Sequence, residues 1–433
     1  MTSSYSSSIQ FLYGLQKHGI KLGLETINGI LARLDRPQDR YHTLHIGGTN
    51  GKGSTAAMTA AILRAAGYRV GLYTSPHLVD FRERIRVNGD PIPEDCIAEL
   101  TEQLQDVAGL SLSPTFFEFT TALALQFFAD SRVEIAVVEV GMGGRFDATN
   151  VVVPLVSAIT NVALDHEDYL GHTVGAIAFE KAGIIKRGVP VVAGRLCPEA
   201  AEVVVRTALE QAAPLYQLNV DFRADGDIRD RFQYKGLYSS YTNLSCPLDG
   251  THQLDNAACA VAMLELAVAK GIRVTEESVR AGLRSVCWDG RLEVVEHRPM
   301  LLLDGAHNPA AAAAVAAHLA AYRRDHPGSR TLLIIGMMRD KDREGFFRPV
   351  LPAVDDVIVT QVSMARAATV EELCSSLGER LDSVHVAPHP AEALALARRL
   401  ASPEDLICVT GSLMLVGEVK ALLRGCGLSP IRG

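Results

Sequence analysis

The stretch Gly48-Thr49-Asn50-Gly51-Lys52-Gly53-Ser54-Thr55 constrains this chain more than any other. An alternating run, Tyr41 to Ile46, precedes it and a segment rich in helix formers, Ala56 to Arg64, follows, so it reads as strand, glycine loop, helix. That is the geometry of a phosphate cradle. Glycines let the backbone close around an anion, N–H groups at the helix start point inward, and Lys52 adds a full positive charge. Ser54 or Thr55 can then face a magnesium ion. The strict pattern G-x-x-x-x-G-K-[ST] fails, because Gly53 separates Lys52 from the hydroxyls and Ile46 stands where the first glycine belongs. A bare glycine turn explains neither the lone lysine nor the two hydroxyls, so nucleotide binding is expected.

At 433 residues and 48% hydrophobic, the chain has room for two domains with sizeable cores. A formal charge of −8 gives no electrostatic reason to bind nucleic acid or an anionic membrane, which leaves small molecules as the expected partners. The eight cysteines form no C-x-x-C pair and no metal-site spacing, and Met1 to Ser8 lack the basic start and apolar core of a signal peptide. A cytoplasmic monomer with reduced thiols is the simplest expectation.

Residues 9–34 carry apolar residues at helical spacing, broken by Gly14, Gly19 and Gly23. Tyr68 to Tyr73 reads as a buried strand running into Thr74-Ser75-Pro76-His77-Leu78, where Ser75 either reaches a metal or phosphate or caps a proline turn. Residues 81–88 alternate charge with bulk and suggest an exposed strand bearing three arginines. Phe116 to Phe128 makes a helix with a strong buried face, and Phe116 and Phe117, placed just before it, can stack on a flat heterocycle.

The run Val133 to Val140 is typical of a central parallel strand, yet it contains Glu139 and ends in Gly141-Met142-Gly143-Gly144-Arg145-Phe146-Asp147-Ala148-Thr149-Asn150. A carboxylate there is costly to bury without a cation, and a magnesium ion at the strand end satisfies it. Leu155 to Val162 is a further strand leading to Leu164-Asp165-His166, where His166 is either a ligand or a hydrogen-bonded loop residue. Lys181 sits among apolar residues in a helix, so it is expected to be paired or modified. Residues 190–250 return to short strands and turns, and His252 to Asn256 opens a helix whose polar side chains cap it or touch a base.

A domain boundary is most plausible at Trp288-Asp289-Gly290-Arg291-Leu292-Glu293, giving units 1–290 and 291–433. Beyond it, candidate strands at 300–303, 331–335, 357–359, 384–386 and 406–409 alternate with helices, as in a smaller doubly wound domain. The first ends in Asp304-Gly305-Ala306-His307-Asn308-Pro309, where Asp304 either faces the first domain or caps a helix.

Together these segments resemble the folylpolyglutamate synthase and dihydrofolate synthase family of the Mur ligase superfamily, over residues from about 9 to Glu418. The run after Glu139 is the most specific part, and the small residue between lysine and hydroxyl becomes a family mark. The resemblance implies an α/β fold: a P-loop Mur-ligase-type ATPase domain with a pteroate pocket, and a second, smaller Rossmann-like domain. It implies that Gly51, Lys52, Gly53 and Ser54 hold ATP phosphates, and that Asn256, Arg291 and Asp304 contact the nucleotide. Ser75, Glu139 and His166 match magnesium positions for two ions, and Lys181 matches a lysine carried as its carbamate. Gly23, Leu24, Glu25 and Thr26, with Thr115, Phe116, Phe117 and Glu118 and then Phe146, Asp147 and Ala148, match segments lining the pteroate pocket; Thr26 replaces an arginine found in some members. His307 and Ser412 match positions near the incoming glutamate.

The implied reaction is an ATP-dependent amide synthesis through an acyl phosphate, with dihydropteroate or a reduced folate as the acid and L-glutamate as the amine. Two rivals stand against it. A cell-wall Mur ligase usually carries a separate N-terminal domain for a uridine nucleotide, whereas fewer than fifty residues precede this loop. A nucleotide-dependent switch protein would bind ATP without making an amide.

Overall fold

The computed structural model describes residues 4–16, 19, 21, 23–109, 112–378 and 383–429. Its fold is α/β, built on two mostly parallel sheets and a small antiparallel one. The first sheet has eight strands in the order Asp90–Pro91, Ile85–Val87, Val70–Tyr73, Ile135–Glu139, His42–Gly47, Val156–Asn161, Val191–Arg195, Leu215–Gln217. From Val70–Tyr73 onward its neighbours run parallel, and the first two strands turn back as an antiparallel edge. Helices cover both faces, which is why the central strands are almost uninterrupted apolar runs.

On one face lies the helix Lys52–Ala65, buried nearly all round. Its alanines let His252–Val268 and Glu276–Arg284 approach closely; at Gly282 even a Cβ would collide with the backbone of Ile62. The other face is covered by Tyr5–Leu15, Glu25–Arg33, Glu94–Ala108 and Phe116–Asp130, which share a core around Leu12, Ile27, Ile30 and Phe119. Gly14 falls inside the first of these helices, whereas Gly19 and Gly23 take positive φ between the first and second. Ile20 and Leu22 of that segment lie outside the described residues.

The second sheet orders Glu293–His297, Met300–Leu303, Leu406–Thr410, Thr331–Ile335, Asp356–Val359, Val384–Val386, parallel except for its first pair. The strand Glu293–His297 escaped sequence reading because Glu293, Glu296 and His297 give it the polarity of a surface turn. The third sheet, Arg223–Gly226, Phe232–Lys235 and Ser240–Leu244, packs against the helix His252–Val268, where Tyr234 Oη donates to Glu265 at 2.8 Å.

Residues 81–88 correct an expectation. Phe81–Arg84 is a 3-10 turn, and only Ile85–Val87 is strand. Arg84 is 2% exposed, because its Nε donates to His77 Nδ1 at 2.8 Å and its guanidinium lies over the Phe116 ring. Among the described residues no helix is long and apolar enough to cross a membrane.

Candidate active site

Three parallel strand ends build the polar centre. Register pairs Ile46 with Glu139 and Gly47 with Ile159, so the glycine loop leaves its strand between the ends of its two neighbours, where open α/β sheets bind ligands. Gly48 and Gly51 have φ of 139° and 82°. A Cβ at Gly48 would strike Thr160 Oγ1, and one at Gly51 would strike Asn256 Oδ1, so only glycine lets the loop lie this close to its walls. Trp288 closes over Gly53 from the interdomain turn.

Two lysines converge on one loop carbonyl. Lys52 Nζ donates to Gly48 O at 3.0 Å and Thr49 O at 3.1 Å, and Lys181 Nζ donates to the same Gly48 O at 3.0 Å. Lys181 is 4% exposed. Burial first, then the charge of Lys52, pushes its amine down to about 7, against the pull of Asp165 and Asp147. Such a lysine is largely neutral just above neutral pH.

Glu139 is buried at its strand end, and its Oε2 accepts the Ser75 N–H at 3.1 Å. Burial raises its carboxyl, opposed by Lys52, the Ser75 N–H, Arg291 and Arg84. His166 has a left-handed φ of 52°, an uncommon conformation for a side-chain-bearing residue. Burial, then Lys341, holds its imidazole down at about 4, so its lone pair is free at neutral pH. Among the described residues no three His, Cys, Asp or Glu side chains form a metal cage. One carboxylate, one imidazole and a hydroxyl bordering a phosphate cradle instead suit magnesium, which keeps waters and takes much of its coordination from phosphate oxygens.

A cleft of about 710 Å³ takes in the loop residues Gly51 to Ser54, the Ser75, Glu139 and His166 set, Lys181, and Asn256, Arg291 and Asp304. Asp304 does not cap a helix. Its two oxygens accept the N–H groups of Leu292 and Ala306, each at 2.8 Å, and so fold the turn that carries Arg291. The helix cap in that segment is Asn308, which accepts from Ala311 N–H.

A second cleft of about 950 Å³ adjoins the first and shares Ser75, Gly141, His166 and His307 with it. Its walls include Gly23, Phe116, Phe117, Phe146, Asp147 and Ala148, with Ser412 on the far side. Leu24, Glu25 and Thr26 do not line it: Leu24 packs into the helical core, and Glu25 is exposed at the start of its helix. Phe116 and Phe117 belong to the helix rather than preceding it, and the Phe117 ring occupies the space a side chain at Gly141 would need. Thr115 and Glu118 border the cleft, but their side chains are committed to each other's backbone N–H at 3.2 and 2.8 Å. This capping box was written in the sequence as Thr-Phe-Phe-Glu.

Asp165 is the centre that sequence reading passed over. It accepts from Lys341 Nζ at 2.6 Å and Asn308 Nδ2 at 3.0 Å, with His307 Nε2 at 3.5 Å. Burial would raise its carboxyl, but His307, His166 and Lys341 together hold it well below the usual carboxylate range. Asn308 also exchanges amide hydrogen bonds with Asn50 of the glycine loop at 3.0 and 3.3 Å. Lys341 lies in Arg339-Asp340-Lys341-Asp342, which reads as a solvated turn, yet its side chain is 8% exposed. Nothing local in the sequence marks that burial.

Residues 46–264 match the Mur ligase middle domain family, and residues 290–413 match the Mur ligase glutamate ligase domain family. The dihydrofolate synthase/folylpolyglutamate synthase of Bacillus subtilis is 32% identical over 98% of this chain and 100% of its own length. Among solved structures, E. coli FolC in complex with DHPP and ADP superimposes with a TM-score of 0.90 at 34% identity, covering 98% of both chains. The bifunctional folylpolyglutamate synthase/dihydrofolate synthase of Yersinia pestis, complexed with AMPPNP and a Mn ion, superimposes with a TM-score of 0.87 at 33% identity over 98% of each chain.

Proposed function

The chain belongs to the folylpolyglutamate synthase/dihydrofolate synthase family and is an ATP-dependent ligase that adds glutamate to a pteroate or folate acid; on that premise we propose that its smaller cleft holds ATP and its larger cleft holds the acid. In this reading the unit 1–290 binds both, and the unit 291–433 closes over them and presents glutamate. The observation that carries it is the shared border at Ser75, Gly141, His166 and His307, where a terminal phosphate from one side can meet a carboxylate from the other.

A carboxylate is a poor acyl donor. Its oxygen attacks the γ-phosphorus of ATP, ADP leaves, and an acyl phosphate remains. The backbone N–H groups of Gly51 to Ser54 and the ammonium of Lys52 take up charge on the phosphate oxygens. Ser75, Glu139 and His166 would hold the divalent ions, which would supply further neutralisation of the phosphate oxygens when bound. Arg84 lines the larger cleft, and its guanidinium gives the acid's carboxylate a cation to face. The glutamate amine, positioned by His307 and Ser412, attacks the acyl carbon; phosphate leaves and the amine gives up a proton. The Asp165–Lys341–Asn308 contacts keep the two units together and water out while the acyl phosphate exists.

Lys181 is read as a carbamate. Its amine, neutral in good part near pH 7, adds carbon dioxide and releases a proton, which turns a buried cation into an anion in the metal-binding cleft. Protein prepared free of carbon dioxide should gain activity on adding bicarbonate at pH 8 and little at pH 6, where the amine stays protonated.

The test of the whole reading is mass spectrometry of products formed from dihydropteroate and from tetrahydrofolate, each with glutamate and ATP. A single-glutamate adduct of dihydropteroate is expected. If only tetrahydrofolate yields an adduct, chain extension alone is the activity; if ATP is consumed with neither, the ligase reading is lost.

A further inference from the structure

The strand that delivers the glycine loop carries a histidine that the chemistry above does not use. His45 is fully buried at the middle of His42–Gly47, and its Nε2 lies 2.9 Å from Thr149 Oγ1. Thr149, equally buried, donates its hydroxyl to Asp147 Oδ1 and its N–H to the same oxygen at 3.0 Å. Asp147 Oδ2 accepts the Met142 N–H at 2.9 Å, and the Gly141 N–H faces the carboxylate as well. Asp147 borders the larger cleft. An unbroken line of hydrogen bonds therefore runs from the core of the sheet to the wall of the acid site.

Counting hydrogens fixes its direction. Burial raises the Asp147 carboxyl, opposed by the Thr149 hydroxyl and the N–H groups of Met142, Thr149 and Gly141; in its ionised form it only accepts, and a threonine hydroxyl has one proton to give. With that proton on Asp147, Thr149 Oγ1 must accept from His45, and the single N–H of a neutral imidazole must sit on Nε2. Nδ1 is then an acceptor, and it has no partner among the described residues. Burial, with Lys186 adding to it, holds His45 down at about 3, so the ring stays neutral through the working range. A buried imidazole with one nitrogen unsatisfied is a poor core filler beside leucine or methionine. What the position supplies is a fixed N–H donor.

We propose that His45 is a positioning residue which, through Thr149, fixes the orientation of the Asp147 carboxylate so that it accepts an N–H group on the heterocycle of the acid substrate. His45 touches neither substrate and sets affinity for the acid alone. The proposal rests on the reading that the larger cleft is the acid site. Without the donor from His45, the Thr149 hydroxyl is free to rotate, and Asp147 Oδ1 keeps only the Thr149 N–H of its two contacts.

The test is steady-state kinetics with dihydropteroate on His45→Met, His45→Gln, Thr149→Val, Thr149→Ser and Asp147→Asn, with thermal melting of each. Gln places an amide N–H near the Nε2 position, and Ser keeps the hydroxyl; Met and Val fill similar volumes without either group. His45→Met and Thr149→Val should each raise KM for dihydropteroate about tenfold, with KM for ATP unchanged within about twofold, while Gln and Ser bring it back to within about threefold of the parent. Equal rises in both KM values, or no rescue by Gln and Ser, would overturn the proposal as a mere packing effect. If Asp147→Asn raises KM for dihydropteroate and neither His45→Met nor Thr149→Val does, the relay is wrong and the acid site stands. If Asp147→Asn leaves that KM unchanged, the acid-site reading itself fails and takes the relay with it.

Discussion

The smaller cleft takes its central groups from one contiguous loop and the strand ends beside it, whereas the larger cleft assembles its wall from segments spread between Tyr13 and Ser429. The contrast follows from what each is proposed to recognise. A triphosphate is gripped by backbone N–H groups and a lysine, which a short loop can supply by itself. A flat acid must be shaped by side chains, and these have to come from several helices and turns at once. The first kind of site draws its central groups from one short segment and the second from many, although distant residues such as Asn256, Arg291 and Asp304 also border the first.

Substitutions can press on this contrast from both sides. Lys52→Ala should lower kcat by about 10³ with any acid substrate, measured as ADP release, while the melting temperature barely moves. Among the described residues Lys52 Nζ bonds to two loop carbonyls, so the fold loses little without it.

Lys341→Met tests the seam between the clefts. It leaves Asp165 buried without its ammonium partner, which should cost about 3 kcal/mol in urea unfolding and raise the KM for both substrates. An effect confined to one KM would show that the clefts close independently.

Lys181→Met probes the smaller cleft by linkage. The folded-state value near 7 lies below the usual lysine value, so between the two the unfolded chain binds the extra proton and parental stability rises with pH. Below about 7 both states hold the proton and the penalty is fully present. The stability advantage of Lys181→Met over the carbon dioxide-free parent should therefore shrink by up to about 1.4 kcal/mol per pH unit above pH 7. A difference that does not change with pH would mean that Lys181 is not held in the neutral form.

The smallest effect belongs to the larger cleft alone. Phe117→Leu should raise the acid's KM roughly fivefold through lost ring contact, leaving ATP untouched.

The same contrast decides how much could be read from the sequence. The glycine loop, Glu139 and Lys181 each sit in a local pattern whose oddity, a charge in an apolar or glycine-rich run, is visible without any fold. So were most strands of the second sheet, because buried parallel strands announce themselves by composition. Arg84 and Lys341 could not be read that way. Their surroundings in the chain are charged, and only packing against Phe116 in one case and Asp165 in the other removes them from water. Leu24, Glu25 and Thr26 stand outside the cleft lining that includes Gly23: Leu24 packs into the helical core, and the Glu25 carboxylate folds back against Gly23. The Thr115–Glu118 pair forms a capping box legible in the sequence and also lines the larger cleft.

The paired amides of Asn50 and Asn308 carry a consequence for exchange between relatives. One belongs to the glycine loop, the other caps the helix Pro309–Asp325, and each completes its neighbour's hydrogen bonding. Halves swapped between homologues would have to preserve this couple, or a compensating one, together with the Asp165–Lys341 pair across the junction. These positions give a first screen for such chimeras before any is made.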